Sequence, residues 1–180
     1  MRTTIVPLIV GLIVSASPAA ATAQAPSPVA DALRSALASA QRNFVGAAEA
    51  MPADKYGYHP TEAQMTFGAL VLHVASSNEF LCSHISGEAA PTEAKLTAVS
   101  PKAELVARVK RSFDYCAAGM AELTDAGLSD SLPFFGGRKV TRAAAMLDIA
   151  GDWEDHYSAA SGYLRLNGLL PPTAKGRGGM

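Results

Sequence analysis

The sequence has no excess of charge of either sign and few aromatic residues. Its 180 residues carry 15 Lys and Arg against 16 Asp and Glu, so it lacks the basic surface typical of nucleic-acid-binding proteins. We therefore expect no nucleic-acid partner. Aromatic residues make up 7%, and Ala supplies much of the 49% hydrophobic content, which favours closely packed helices over a β-sandwich. A chain of this length can form one domain with its own core.

Long hydrophobic runs are absent after the first 23 residues. The run from Ile5 to Ala16 follows the basic residue Arg2 and precedes Ala21-Thr22-Ala23, a small-x-small cleavage pattern. This arrangement predicts a cleaved signal peptide over residues 1–23. The alternative is an uncleaved anchor, but the run is short for a membrane span. We therefore expect a periplasmic or secreted protein with no stable membrane anchor after cleavage.

Cysteine is also scarce, with only Cys82 and Cys116 in the chain. In an oxidising compartment, two cysteines raise the question of a disulfide bridge. The alternative is two buried thiols that never meet. Composition alone leaves both interpretations open.

Apolar residues recur at helical spacing in four segments, each bounded by residues that start or stop helices. The predicted helices run, in chain order, from Ser27-Pro28 to Met51-Pro52, from Thr66 to Gly87, from Ser100-Pro101 to about Leu123, and from Thr141 to Asn167-Gly168. Residues 54–64, 88–100 and 125–139 are expected to be irregular because they are rich in turn residues. With no convincing strand, the pattern predicts an all-α four-helix bundle over residues 24–170, followed by a disordered tail over residues 171–180.

The predicted buried stripes of the second and fourth helices include polar residues. The stripe of the second helix is Leu70, His73, Ser77, Phe80 and His84, and that of the fourth is Ala145, Ile149, Asp152, His156, Ala159, Tyr163 and Leu166. Burying a carboxylate or an imidazole costs free energy unless the group is paired or bound to a metal. The sequence therefore predicts that these polar groups have a common partner.

His73, Asp152 and His156 are the candidate ligands of a divalent metal. Imidazole nitrogen and carboxylate oxygen suit zinc, nickel, iron(II) or manganese. Three protein ligands would leave a coordination position open, as catalytic metal sites do. The alternative is a hydrogen-bonded trio without metal, in which Asp152 accepts a hydrogen bond from a neutral His73.

Other polar residues near these candidates are expected to lie outside the site. His84 is about 16 Å from His73 along the helix axis, which is too far to share a metal. His59 lies in a loop and is expected to be exposed, and Glu154 and Asp155 are expected to be solvated. Trp153 is interpreted as a packing residue.

Four segments carry a resemblance to a known family. They are the run from Met51-Pro52 to Pro60-Thr61, Phe67-Gly-Ala-Leu-Val-Leu-His73, Asp155-His-Tyr157 and the run from Tyr163 to Pro172. Together they resemble the DinB/YfiT-like superfamily, and most of all its exported bacterial members. The resemblance covers nearly all of the chain after residue 23. It implies a four-helix bundle with up-down-down-up order and a long crossover between helices 2 and 3.

The resemblance also implies a metal, often nickel or zinc, held by three histidines. The histidine of helix 2 matches His73, and the second histidine of helix 4 matches His156. The first histidine of helix 4 falls on Asp152, so this sequence departs from the family pattern there. Aspartate can bind a metal, but it changes the charge of the site and its metal preference.

Parallel second and third helices, as the resemblance implies, would bring the two cysteines to one height. Cys82 is 16 residues past Thr66 and Cys116 is 15 past Pro101. An antiparallel pair would separate them by about 16 Å, too far for a bridge. On this basis we expect a Cys82–Cys116 disulfide.

Two classes of function are compatible with the sequence. Relatives of the resembled fold include thiol-dependent transferases and isomerases and hydrolases, so the first class is a metal-dependent enzyme. Thiol chemistry fits an oxidising compartment poorly, which favours hydrolysis; Ser77, Tyr157 and Glu154 are weak candidates for a general base. The second class is a non-catalytic binding or stress-associated module, and a homodimer is compatible with either. The small-molecule substrate is not specified by the sequence.

Overall fold

The computed structural model describes residues 26–175, and the predicted signal peptide lies outside this range. Four long helices form the bundle: α1 (Pro28–Ala50), α2 (Phe67–Ser86), α3 (Lys102–Met120) and α4 (Arg142–Leu166). The prediction of an all-α four-helix protein is confirmed. Within the described range, no helix combines the length and the apolar character that crossing a membrane requires.

The helix ends follow the predicted capping residues closely. The Thr66 hydroxyl accepts a hydrogen bond from the Ala69 amide at 3.2 Å, and Thr141 caps α4 in the same way. Gly87 ends α2 with a φ of 81°, in the left-handed region that favours glycine. The start of α3 differs by one position, because Pro101 occupies the N-cap that was expected for Ser100.

A short hairpin before α4 corrects the expectation of an irregular segment without strands. Strands β1 (Ser131–Pro133) and β2 (Lys139–Thr141) pair antiparallel, with Leu132 opposite Val140. Leu132 is buried and Val140 is half-buried, so the hairpin packs its apolar side chains onto the bundle. Strands of three residues are too short to show the alternation by which strands are predicted.

Contacts between α1 and α3 show that these two helices run in opposite directions. Arg34, near the start of α1, donates a hydrogen bond to the carbonyl of Met120 at the end of α3 (2.9 Å). Lys102, at the start of α3, donates to the carbonyl of Glu49 near the end of α1 (2.7 Å).

Contacts between α2 and α3 show that these two helices run in the same direction. Asn78 bonds to Ser112 and Cys82 is bridged to Cys116, and in both pairs the partners are 34 residues apart. A constant offset of this kind is what two helices running in the same direction require, and the predicted up-down-down-up order requires it as well. The bridge itself agrees with the expected disulfide.

The buried faces of α2 and α4 differ from the predicted buried stripes. Each face is rotated about the helix axis by roughly one residue. On α4 the buried side chains include Ile149, Trp153, Tyr157 and Leu164, whereas the predicted stripe residue Leu166 is 64% exposed. The fully buried positions of α2 are Phe67, Gly68, Leu70, Val71, Val74, Ala75, Asn78, Leu81, Cys82 and Ile85. The polar residues of both predicted stripes, including the three candidate ligands, are therefore half-buried at the edge of the core.

The chain after α4 corrects the predicted start of the disordered tail. Pro171 is buried and Pro172–Ala174 forms a 3-10 turn, so the described chain remains packed beyond residue 170. The Thr173 amide donates to the Tyr157 hydroxyl at 3.1 Å, and the two hydroxyls share a hydrogen bond of 2.8 Å. Residues 176–180 lie outside the described range.

Opening the Cys82–Cys116 bridge should destabilise the fold without abolishing it. The bridge links positions 34 residues apart, and closing a loop of that size stabilises a domain by about 2–4 kcal/mol. We expect the Cys82→Ala/Cys116→Ala double variant to lose about that much unfolding free energy in urea. Peptide mapping of the wild type under non-reducing conditions should find both residues in one linked fragment. Two free thiols, or an unchanged urea midpoint in the double variant, would contradict the bridge.

Candidate metal centre

Helices α2 and α4 bring the three predicted ligands together. His73 projects from α2, and Asp152 and His156 lie one turn apart on α4. One ligand atom from each residue lies within 4.8 Å of the other two. The two imidazole rings are 4.8 Å apart between centroids and inclined by 67°. Two segments about 80 residues apart in sequence thus bring three candidate ligand atoms close together.

Two atoms of this group are buried without a hydrogen-bond partner among the described residues. They are Oδ2 of Asp152 and Nε2 of His156. Nε2 of His156 is 3.4 Å from Oδ1 of Asp152, but this contact lacks hydrogen-bond geometry. Because buried polar atoms are nearly always satisfied, these two atoms require a partner. A divalent cation would satisfy both, so the donor set fits a metal.

The environment of Asp152 disfavours its charged form in the absence of a cation. Burial raises the pKa of the Asp152 carboxyl above its usual value, and the nearby imidazoles of His156 and His73 oppose this rise. The negative charge of Asp155 adds to the rise. The carboxylate is therefore held in a position where a positive ligand would stabilise it.

Asp155 contacts the other ring nitrogen of His156. Its Oδ2 lies 3.5 Å from Nδ1 of His156, and its side chain is 85% exposed. Like the contact at Nε2, this one lacks hydrogen-bond geometry, so it acts on His156 only as a nearby negative charge, which favours a proton on Nδ1 over one on Nε2. Sequence analysis placed Asp155 in solvent, which is correct for its exposure but misses this contact.

The remaining predicted residues lie apart from the ligand group. His59 is exposed and its Nδ1 is 2.7 Å from the Thr61 carbonyl, and His84 bonds to the Phe80 carbonyl within α2. Trp153 is buried and donates to Asn78, as expected of a packing residue.

The three candidates for a general base differ in their availability. Ser77 is half-buried one turn from His73, and Glu154 is exposed on α4. The Tyr157 hydroxyl is engaged by Thr173. Tyr157 therefore anchors the C-terminal turn and is a poor proton carrier.

Sequence analysis missed Asn78, the buried polar residue that positions α2 against its neighbours. A signal was present, because Asn78 lies at helical spacing between the buried residues Val74 and Leu81. It went unnoticed because the predicted stripe of α2 was centred on His73 and Ser77.

Comparisons with known proteins agree with this architecture. The family model of the DinB superfamily matches residues 36–159, well over half of the chain. The crystal structure of a DinB-like protein from Bacillus subtilis superposes with a TM-score of 0.65 at 23% sequence identity. The match covers 78% of this chain and 96% of that one, and at this identity it shows the fold alone. No curated protein matches the chain.

The contribution of Asp152 to the stability of the metal-free protein should fall as the pH rises through the titration of its carboxyl. Its carboxyl has a raised pKa in the folded state, so folding favours the protonated form. This contribution is fully present below the usual value of 3.8 and is lost as the pH rises through the raised folded value. We expect chelator-treated Asp152→Asn to exceed the wild type in unfolding free energy at pH 7, and this advantage should vanish near pH 3.5.

The matched control is Asp148→Asn, which changes an exposed carboxylate one turn earlier on α4. Its unfolding free energy in urea titrations should equal that of the wild type across the same pH range. An Asp152→Asn variant that is no more stable than the wild type at pH 7 would show that Asp152 is not penalised by burial.

Proposed function

Because the chain belongs to the DinB superfamily, we propose that it is a metal-binding member of that family whose His73, Asp152 and His156 hold one divalent cation. Two observations carry the proposal: Asp152 and His156 each have a buried polar atom without a partner among the described residues, and each offers a ligand atom within 4.8 Å of one on His73. Two imidazoles and one carboxylate supply a net charge of −1 when the histidines are neutral. Such a donor set is suited to zinc, iron(II), manganese or nickel.

We further propose that the reaction supported at this centre is hydrolysis of a small-molecule substrate. When bound, the cation would lower the pKa of a coordinated water and so supply a nucleophile at neutral pH. Three protein ligands leave a position for that water, and the half-buried setting leaves the position accessible. The role of Asp155 is electrostatic: its carboxylate favours the tautomer of His156 that carries the proton on Nδ1.

The compartment proposed for this function is the periplasm or the exterior of the cell. The Cys82–Cys116 bridge supports it, because disulfides persist in oxidising environments. The export signal predicted over residues 1–23 points the same way. In such a compartment low-molecular-weight thiols are scarce, which is why hydrolysis is preferred to thiol transfer.

Purified wild-type protein should contain about one divalent metal ion per chain after dialysis against trace zinc, and the three ligand variants should not. Elemental analysis of the wild type, His73→Ala, Asp152→Ala and His156→Ala measures this directly. Metal at 100 times its dissociation constant should also raise the unfolding free energy of the wild type by about 2.7 kcal/mol. The variants should show little of that gain.

His59→Ala is the matched control for this experiment. It removes an imidazole of the same chemistry from an exposed loop, where its Nδ1 lies 2.7 Å from the neighbouring Thr61 carbonyl. It should retain wild-type metal content. Equal metal content in the wild type and all three ligand variants would reject the site.

Metal-loaded protein should hydrolyse at least one member of a panel of carboxylic esters and amides. Asp155→Asn should lower kcat/KM by up to about fivefold while metal content is kept nearly constant, since it removes an exposed negative charge beside Nδ1 of His156. His73→Ala should lose the activity together with the metal. A loaded protein inactive on esters, amides and thiol conjugates alike would instead identify a non-catalytic binding module.

A further inference from the structure

One face of α2 leads from the candidate metal centre to a group of aromatic rings. His73, Ser77, Phe80 and His84 recur at intervals of four, three and four residues, so all four lie on one side of the helix. All four are half-buried, whereas the neighbouring positions Val74 and Leu81 are fully buried. This face therefore forms a continuous strip along the solvent edge of the core.

The far end of the strip is built from stacked rings. The Phe80 ring stacks on Phe135 with centroids 4.3 Å apart and planes 22° apart. The His84 ring lies 4.3 Å from the Phe80 ring, and its Nδ1 bonds to the Phe80 carbonyl at 2.8 Å. Phe134 contacts Phe135 edge-on at 4.9 Å. We call these four residues the aromatic cluster.

The turn between β1 and β2 holds Phe135 in an exposed position. The turn is closed by the Phe134 amide, which donates to the Arg138 carbonyl at 2.9 Å. Gly136 and Gly137 have φ values of 65° and 72°, a conformation that other residues rarely adopt. Phe134 is 6% exposed, whereas Phe135 is 48% exposed. A large apolar ring is thus kept at the surface by a tight turn and by stacking on Phe80.

We propose that Phe135, supported by Phe80, binds the apolar part of the molecule whose polar group is held at the metal centre. The proposal rests on the proposed function, because it assigns a substrate class to the same site. His73 and Phe80 are seven residues apart, which is about 10.5 Å along the helix axis. The ligand is therefore an amphiphile with an aromatic or alkyl group about 10 Å from its metal-binding group. Exposed aromatic side chains next to a polar centre are suited to such recognition.

Hydroxamates on cobalt(II)-loaded protein test this inference, since cobalt reports ligand binding through its visible spectrum. Acetohydroxamate carries only the metal-binding group, whereas 6-phenylhexanohydroxamate adds a phenyl ring at about the required distance. We expect the phenyl compound to bind the wild type about 10-fold more tightly. Phe135→Ala should remove this preference and leave acetohydroxamate affinity unchanged. Phe135→Leu, which keeps an apolar side chain on the turn, should retain part of it.

Leu147→Ala is the matched control, because Leu147 is a 75% exposed apolar residue of α4 five positions before Asp152, on a different side of that helix. It should keep the wild-type preference. Equal affinity of the wild type for both hydroxamates would overturn the inference, as would a preference that survives in Phe135→Ala. Cobalt uptake without any such preference would leave the proposed metal site standing, whereas no uptake would overturn both proposals.

Discussion

The side-chain amide of Asn78 joins three of the four helices inside the core. Asn78 is fully buried on α2; its Nδ2 donates to the Ser112 hydroxyl on α3 at 3.0 Å, and its Oδ1 accepts from the Trp153 indole on α4 at 2.7 Å. Leaving a buried polar group unpaired costs about 1–3 kcal/mol. Any sliding of α3 or α4 along α2 would break one of these bonds. The amide therefore selects one register among those that an Ala-rich core would allow.

That register determines whether a metal centre can form. Trp153 is the neighbour of Asp152 in sequence, and His73 lies between one and two turns before Asn78. Sliding α4 by one turn would move its side chains by about 5.4 Å, more than the 4.8 Å that now contains all three ligand atoms. The Cys82–Cys116 bridge fixes the partner helix α3 one turn beyond Asn78. The arrangement of the three candidate ligands thus depends on the hydrogen bonds of Asn78.

The four helices could be predicted from the sequence because the signals that mark their ends are local. Caps such as Thr66 and Thr141 are read from a few residues, and the structure places both where they were predicted. The hairpin escaped prediction because its pairing of Leu132 with Val140 depends on packing against the bundle. The exact face of α4 that packs into the core was also not predicted, because the helix carries small and apolar residues on several of its sides. The three candidate ligands were chosen from their chemistry, and the structure brings them together at the edge of the core and not at its centre.

The position of Asp152 and His156 at the edge of the core suits them to hold a cation. Full burial of Asp152 and His156 would make their unsatisfied atoms more costly and would also exclude any substrate from them. Full exposure would let water satisfy the same atoms and remove the need for a cation. With side chains 23% and 17% exposed, Asp152 and His156 lie between these limits. The strip of α2 that continues from His73 to Phe80 is half-buried as well, so a molecule that reached a cation held at this centre would also lie against that strip.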